Sequence, residues 1–221
     1  MMSRFEMGLV LKTDQNKNFK KKNKHWFDKT SLLYGPIAHG WAGRPGNLIV
    51  YLGSATGRDG VAGASFASVD LSEESENRKS AVQVGDPYQG KLVMEACLEI
   101  SRSGLLVGMG DMGAAGLTSC LAEIAYRSRL GIELSLDLVP TTSADLTPYE
   151  IMLSESQERM ILIVNQENLK DIKKIGERWD VNCLEIGIVT ASDNFVVKRK
   201  GDIVVNLPID FLVCGWSLLG R

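Results

Sequence analysis

The sequence predicts an α+β fold in which helices pack on a mixed, largely antiparallel sheet. Apolar residues at helical spacing indicate a helix over 167–179. Three short strand-like runs follow it, near 183–190, 194–199 and 202–206. The turn sequences between them, Ser-Asp-Asn and Lys-Gly-Asp, are typical of hairpins, which join antiparallel strands. Because each amphipathic helix needs an apolar face to pack against, the two kinds of element predict a layer of helices on a sheet.

Composition sets limits on the function. The 221 residues carry a formal net charge of −2 and are 44% hydrophobic, which indicates neither a nucleic-acid partner nor a membrane. No apolar run approaches the roughly 18 residues that a membrane span needs. The four cysteines are far apart and form no CxxC pair, so neither a zinc site nor a redox motif is indicated: Cys97, Cys120, Cys183 and Cys214. We therefore expect a reduced, cytoplasmic location.

The first half of the chain predicts two strands and a helix, joined by loops. Residues 47–52 (NLIVYL) are β-branched and aromatic, as in a strand, and a glycine-rich loop over 53–63 follows. The charged stretch 70–80 indicates a solvated loop or a short helix, and 81–87 resembles a strand that stops at Gly85. Asp86 and Pro87 then predict a helix N-cap and first position, with the helix continuing through Ile100.

The second half begins with a strand, a glycine-rich turn and a helix. The apolar run 104–107 predicts the strand, GMGDMGAAG over 108–116 the turn, and apolar spacing a helix to about Ser128. Alternating residues over 131–136 predict a half-buried strand. The sequence Thr-Pro-Tyr-Glu at 147–150 resembles a capping box, and an apolar run over 160–164 predicts another strand.

Asp111 lies in the middle of the glycine-rich turn, where we expect a metal or phosphate site. Glycines let a ligand approach the backbone, and N–H groups at a helix start face anions. A carboxylate beside such a site suits Mg²⁺, which prefers oxygen ligands and shares them with phosphate. The alternative is a tight turn in which Asp111 only caps the helix.

A second candidate is the loop over 53–63, with Gly57, Arg58, Asp59 and Gly60 as phosphate-loop residues. Arg58 offers a bidentate donor to a phosphate group. In the alternative interpretation Arg58 and Asp59 merely pair with each other, and the sequence alone does not separate the two.

A third set of polar residues lies next to predicted strands. Gln83 is at the end of one, and residues 154–159 (SESQER) crowd the entrance of another, where polar groups are costly unless they face solvent or a ligand. The two histidines, His25 and His39, lie outside every glycine-rich motif, so histidine acid–base chemistry is not indicated in these motifs.

Four of these motifs resemble phosphoribosylformylglycinamidine synthase, a glutamine-dependent, ATP-using enzyme of purine biosynthesis. They are TGRDGVAGASFAS (56–68), AVQVGDP (81–87), GDMGAAGLTS (110–119) and TPYEIMLSESQERM (147–160). The motifs occur in the family's order, and the resemblance covers about residues 47–213.

The resemblance implies a fold similar to the C-terminal domain of aminoimidazole ribonucleotide (AIR) synthetase. In this family ATP phosphorylates the formamide oxygen of formylglycinamide ribonucleotide (FGAR), and ammonia from glutamine displaces the phosphate to give the amidine. The implied roles are substrate binding for Gln83, Glu155, Ser156 and Gln157 and magnesium binding for Asp111, with Mg²⁺ and ATP as cofactors.

The resemblance also implies partners. The family's catalytic histidines belong to an N-terminal ATP-binding module with a motif of the type SxNHPS, which does not occur here. We therefore expect that module, a second pair of modules and a glutaminase elsewhere, no catalytic residue in this chain and no turnover by it alone. The expected layout is a basic leader and connection over 1–46, the domain over 47–213, and the start of a truncated linker over 214–221.

Two other functions agree with the sequence. One is a module of another ATP enzyme of this superfamily, such as a selenophosphate synthetase or a hydrogenase maturation protein, although these lack the SESQERM block. The other is a non-catalytic structural copy, against which the joint presence of Gln83, Asp111 and Glu155 argues.

Overall fold

The computed structural model describes residues 40–61 and 85–218, with side chains as far as Cys214. In chain order the strands and helices are β1 (Leu48–Gly53), α1 (Pro87–Ser103), β2 (Leu106–Asp111), α2 (Gly116–Ser128), β3 (Gly131–Ser135), α3 (Pro148–Leu153), β4 (Arg159–Val164), α4 (Leu169–Arg178), β5 (Asn182–Thr190), β6 (Asn194–Arg199), β7 (Asp202–Pro208) and α5 (Ile209–Leu218). Short 3₁₀ turns over Leu136–Leu138 and Gln166–Asn168 lie between them.

The strands form one mixed sheet in the order β2-β4-β1-β5-β3-β6-β7. Strand β1 is antiparallel to both β4 and β5, and β2 is antiparallel to β4. Strands β3 and β5, and likewise β6 and β7, are also antiparallel, whereas β3 and β6 are parallel. The predicted α+β fold with a largely antiparallel sheet is therefore confirmed. Of the two predicted hairpins, the one between β6 and β7 is confirmed. The one between β5 and β6 is wrong, because β3 lies between these strands and pairs with both.

Helices cover both faces of the sheet around β1. Side chains of α2 and α3 pack with Ile49 and Tyr51 on one face, and side chains of α1 and α4 pack with Leu48, Val50 and Leu52 on the other. Because successive side chains of a strand point to opposite faces, a strand buried on both sides is apolar at every position. This explains the uninterrupted apolar run that predicts β1.

Two predicted helix starts are confirmed. The Asp86 carboxylate accepts hydrogen bonds from the backbone N–H groups of Tyr88 and Gln89, and Pro87 is the first residue of α1. At α3, the Thr147 hydroxyl accepts from the Glu150 N–H and the Glu150 carboxylate accepts from the Thr147 N–H, as in a capping box. Both helices therefore begin where the local sequence supplies partners for their unpaired N–H groups.

The glycine-rich turn is shorter than the sequence predicts. The predicted strand ends at Val107, but β2 continues through Asp111, with Gly108 opposite Ile163 and Gly110 opposite Ile161 of β4. A Cβ at Gly110 would lie 2.8 Å from the Cys120 sulfur, so glycine lets α2 pack closely on this strand. Gly108 and Gly110 are therefore strand residues, and the turn is limited to residues 112–115.

The structure adds a helix at the end of the described chain. Helix α5 follows β7 directly and continues past residue 213, where the sequence analysis places a linker. The apolar stretch FLVCGWSLL indicates this helix in retrospect.

Within the described residues, no helix combines the length and apolar character needed to cross a membrane.

Candidate functional site

Three sequence motifs that are far apart in the chain meet where the neighbouring strands β1, β2 and β4 end or begin. Strand β4 is antiparallel to both β1 and β2, so its first residues lie beside the last residues of these two strands. Gly53 is opposite Arg159, and Asp111 is opposite Met160. The Ser54 N–H donates to the Glu158 carbonyl at 3.0 Å, and this contact continues the pairing beyond β1. Thus the loop after β1, the turn after β2 and the segment before β4 form a single site.

Arg159 organises the segment before β4. Its side chain is only 3% exposed, and its guanidinium donates to the Ser156 carbonyl at 2.6 Å, the Ser154 carbonyl at 2.7 Å and Thr56 Oγ1 at 3.0 Å. Burial lowers the pKa of Arg159, because a charged group loses hydration inside the protein. The three bonds close the segment 154–158, which we call the SESQE turn, and attach it to the loop after β1.

Tyr51 and Thr56 extend this buried polar group. The Tyr51 hydroxyl donates to the Ser54 carbonyl and lies 3.1 Å from Thr56 Oγ1. Burial raises the pKa of Tyr51, while the nearby Arg159 guanidinium opposes that shift. Tyr51 is not among the predicted site residues, and Arg159 is counted only among the polar residues before the strand, without a role of its own. The available signal was a charge directly before an apolar strand, since a buried charge must be paired or hydrogen-bonded.

Glu155 faces the start of helix α2. Its side chain is 7% exposed, and Oε1 accepts a hydrogen bond from the Ala115 N–H at 3.1 Å. Ala115 is the N-cap residue of α2, has a φ of 58° and forms no side-chain cap of its own. The interpretation in which Asp111 caps this helix is therefore wrong: Asp111 is still part of β2, and a distant carboxylate meets the positive end of the helix instead.

The loop Gly57–Gly60 packs directly on the SESQE turn. The Ser156 hydroxyl accepts from the Gly57 N–H at 2.9 Å and donates to the Asp59 carboxylate. The Glu155 N–H donates to the Asp59 carbonyl at 2.8 Å. Gly60 has a φ of 68°, and a Cβ there would lie 2.5 Å from the Cβ of Glu155. These glycines therefore make room for the SESQE turn.

Arg58 points away from these contacts toward helix α3. Its guanidinium donates to Glu150 Oε1 at 2.8 Å and to Asp145 Oδ2 at 2.9 Å, on an exposed surface. Of the two sequence interpretations, a simple Arg58–Asp59 pair is not observed, because Asp59 accepts from Ser156 instead. The pKa of Glu150 is lowered first by the Thr147 N–H and then by Arg58, since both stabilise the carboxylate.

Gln157 and Glu158 complete the SESQE turn. Gln157 Nε2 donates to the Glu155 carbonyl at 3.1 Å. Glu158 has a φ of 56°, which is unusual for a residue with a side chain, and its carboxylate accepts from the Asp86 N–H at 3.3 Å. Loss of hydration raises the pKa of Glu158. Glu155, Ser156 and Gln157 are thus contiguous at the site, whereas Gln83 lies outside the described residues.

Asp111 is exposed at the end of β2, and no hydrogen bond or ion pair from the described residues reaches its carboxylate. The described part of the chain also contains no group of three or more His, Cys, Asp or Glu side chains that would hold a metal ion. An exposed carboxylate at the end of a strand is an oxygen ligand of the kind that Mg²⁺ combines with water and substrate phosphates.

The chain is similar to one family model and to solved structures of one enzyme. Residues 44–200 match the family model of the AIR synthase related protein, C-terminal domain. The structure of Thermotoga maritima PurL complexed with FGAR is 37% identical, with a TM-score of 0.74, over 80% of this chain and 29% of PurL. PurL complexed with ATP is 32% identical, with a TM-score of 0.69, over 80% of this chain and 27% of PurL.

A more distant structure, the hydrogenase maturation protein HypE, is 19% identical, with a TM-score of 0.52, over 79% of this chain and 57% of HypE. At that identity the likeness concerns the fold alone.

PurL is a phosphoribosylformylglycinamidine synthase II, so the resemblance to that enzyme is confirmed. The chain spans less than a third of the length of PurL. The family model covers most of the present sequence, including the strands and turns that form the site. The chain therefore belongs to the family of AIR synthase related proteins and carries their C-terminal domain.

Proposed function

We propose that this chain is the substrate- and Mg²⁺-binding module of an ATP-dependent ligase that converts FGAR, ATP and glutamine-derived ammonia to formylglycinamidine ribonucleotide. The SESQE turn, the loop Gly57–Gly60 and Asp111 meet at the same end of the neighbouring strands β1, β2 and β4, and this observation carries the proposal. The likeness to PurL, whose structures contain FGAR or ATP, supports it.

In this proposal residues 155–157 and Gln83 form the segment that recognises FGAR. Carboxylate and amide groups supply acceptors and donors suited to a ribose and an amide. The rigid attachment of residues 155–157 favours this role, because Arg159 holds the SESQE turn from within the protein. A binding segment whose shape is set beforehand loses less entropy when the ligand arrives.

Asp111 is the proposed magnesium ligand. Mg²⁺ supplies neutralisation of the phosphate charge during phosphoryl transfer, a reaction that depends mainly on positioning and electrostatic stabilisation. The role of Asp111 is to present an exposed carboxylate from the end of a paired strand, which limits its movement. Glu155 already occupies the N-terminus of α2, so the positive end of that helix holds the SESQE turn in place.

We keep the loop Gly57–Gly60 as a proposed phosphate loop, but Arg58 must first lose its present partners. Arg58 is bound to Asp145 and Glu150, so a phosphate would have to replace these exposed carboxylates. Exposed ion pairs contribute little stability, so a phosphate group can replace these carboxylates at low cost. The same pairing favours the second candidate function, a structural copy of the domain, in which Arg58 only fastens the loop to helix α3.

The remaining partners are also proposals. They are an N-terminal ATP-binding module, a second pair of modules and a glutaminase, in a cytoplasmic enzyme with no nucleic-acid or membrane partner. The short span of this chain relative to PurL supports the need for further modules. We expect the chain alone to show no turnover.

Calorimetric titration of FGAR into the chain, with and without Mg²⁺ and ATP, tests the proposal. We expect Asp111→Asn to abolish the Mg²⁺-dependent part of binding, because an amide is a much weaker ligand for this ion than a carboxylate. Asp193→Asn is the matched control: it is the same change at an exposed position in the turn that links β5 to β6, at the opposite end of the strands.

The outcomes separate the two functions. The ligase module is supported if FGAR binds and the Mg²⁺ dependence of binding is lost in Asp111→Asn but kept in Asp193→Asn. Absence of binding, even after the N-terminal module of a related synthase is added, would favour the structural copy. If the two substitutions have equal effects on binding, Asp111 is not a ligand of the metal ion.

A further inference from the structure

We infer that Ser156 is a positioning residue, whose hydroxyl locks the loop Gly57–Gly60 onto the SESQE turn and does not itself contact the ligand. This inference rests on the proposed function and refines it. Within the segment 155–157, recognition is then left to Glu155, Gln157 and the backbone, and Ser156 acts through Asp59 and Gly57.

The hydrogen-bonding capacity of Ser156 is the first argument. A serine hydroxyl has one hydrogen to donate and two lone pairs that accept. The hydrogen goes to Asp59 Oδ2, and the Gly57 N–H supplies a donor at 2.9 Å. Ser154 Oγ, at 3.2 Å, can fill the remaining lone pair. The hydroxyl therefore has no capacity left for a ligand.

Burial is the second argument. Ser156 is 5% exposed, and the loop on one side and Arg159 on the other enclose it. A ligand would have to displace the charged acceptor Asp59 to reach the hydroxyl. A hydrogen bond to a charged group is roughly twice as strong as one between neutral groups, so this displacement is unfavourable.

The loop and the SESQE turn are also joined at further points around Ser156. The Glu155 N–H donates to the Asp59 carbonyl at 2.8 Å. A Cβ at Gly57 would lie 2.8 Å from Asp59 Oδ2 and 3.4 Å from Ser156 Oγ, so glycine at this position leaves room for their bond. Loss of the hydroxyl should therefore disturb Asp59 and the backbone of Glu155 together.

Amide hydrogen exchange tests the inference without any ligand. In Ser156→Ala we expect faster exchange at the Gly57 amide, which loses its acceptor, and at the Glu155 amide, whose acceptor is the Asp59 carbonyl. Ser128→Ala is the matched control. The Ser128 hydroxyl accepts from the Ala42 N–H at 2.7 Å and donates to the Ile124 carbonyl at 2.8 Å.

The control should accelerate exchange at Ala42 and leave Gly57 and Glu155 unchanged. Unchanged exchange at both Gly57 and Glu155 in Ser156→Ala would overturn the inference, because the hydroxyl would then not hold the loop.

FGAR titrations of the full chain provide the second test. We expect Ser156→Ala and Asp59→Ala each to weaken binding about tenfold, as for the loss of a hydrogen bond to a charged group. The double variant should bind no more weakly than the weaker single variant, because both changes break the same contact. Asp59→Asn, which retains an oxygen acceptor for Ser156, should recover most of the affinity.

Losses that multiply in the double variant would mean that Ser156 contacts FGAR itself, and would overturn the inference. If the wild-type chain binds no FGAR even after the N-terminal module of a related synthase is added, that result counts only against the proposed function. The exchange experiment then still decides whether Ser156 positions the loop.

Discussion

Gly60 shows how one missing side chain sets the geometry of the site. Its positive φ would strain any other residue by roughly 1–2 kcal/mol, and Glu155 occupies the space of a Cβ. We expect Gly60→Ala to lower the free energy of unfolding by several kcal/mol, measured by urea denaturation.

Gly104 provides the control for this prediction. It has a φ of 73°, close to the 68° of Gly60, but no atom lies within 4 Å of an added Cβ. Gly104→Ala should therefore show the backbone strain alone, roughly 1–2 kcal/mol. Equal losses in the two variants would mean that Glu155 moves aside and that the loop does not need its close contact with the SESQE turn.

At the scale of one element, helix α3 has only six residues and depends on its capping box. Glu150 links this cap to Arg58, and its pKa is lowered first by the Thr147 N–H and then by Arg58. In Arg58→Ala we expect the pKa of Glu150 to rise but to stay below its ordinary value, because the bond from Thr147 remains. A pH titration of the Glu150 side-chain carboxyl signal by NMR measures this.

The sign of the effect on stability follows from the same shift. A carboxyl whose pKa is lowered by folding stabilises the protein above its unfolded pKa, and this contribution disappears as the pH falls through the folded pKa. The wild-type chain should therefore keep the Glu150 contribution to a lower pH than Arg58→Ala does. An unchanged pKa in the variant would show that Arg58 does not hold Glu150 in solution.

At the scale of the whole molecule, β7 is an edge strand of the sheet. Ile203 is 58% exposed and Val204 is also exposed, so apolar side chains accompany an edge that no other described strand pairs with. Such edges promote association between copies unless a charge interrupts them. We expect the chain to associate at high concentration, and Ile203→Lys to shift sedimentation velocity profiles toward the monomer.

Leu98→Lys is the control for this prediction, because Leu98 is an exposed apolar residue on helix α1 and not on a strand edge. A chain that is monomeric at every concentration, or equal effects of the two lysines, would show that β7 does not direct association.

Much of the fold could be predicted because its signals are local. The helix caps at Asp86 and Thr147, and the apolar run of β1, depend on residues within a few positions of each other. The end of β2 could not be placed in this way. Its glycines indicate a turn locally, but pairing with β4 keeps them in the strand as far as Asp111.

By itself, the sequence determined the types of element, the motifs of the family and the residue types available for chemistry. Only the tertiary structure decided that Glu155 meets the start of α2, that Arg58 pairs with α3, and that Ser156 is fully bonded within the protein. The physical reason is that these contacts join residues 40 to 99 positions apart. Their meeting depends on strand order and direction, because β4 runs antiparallel between β1 and β2.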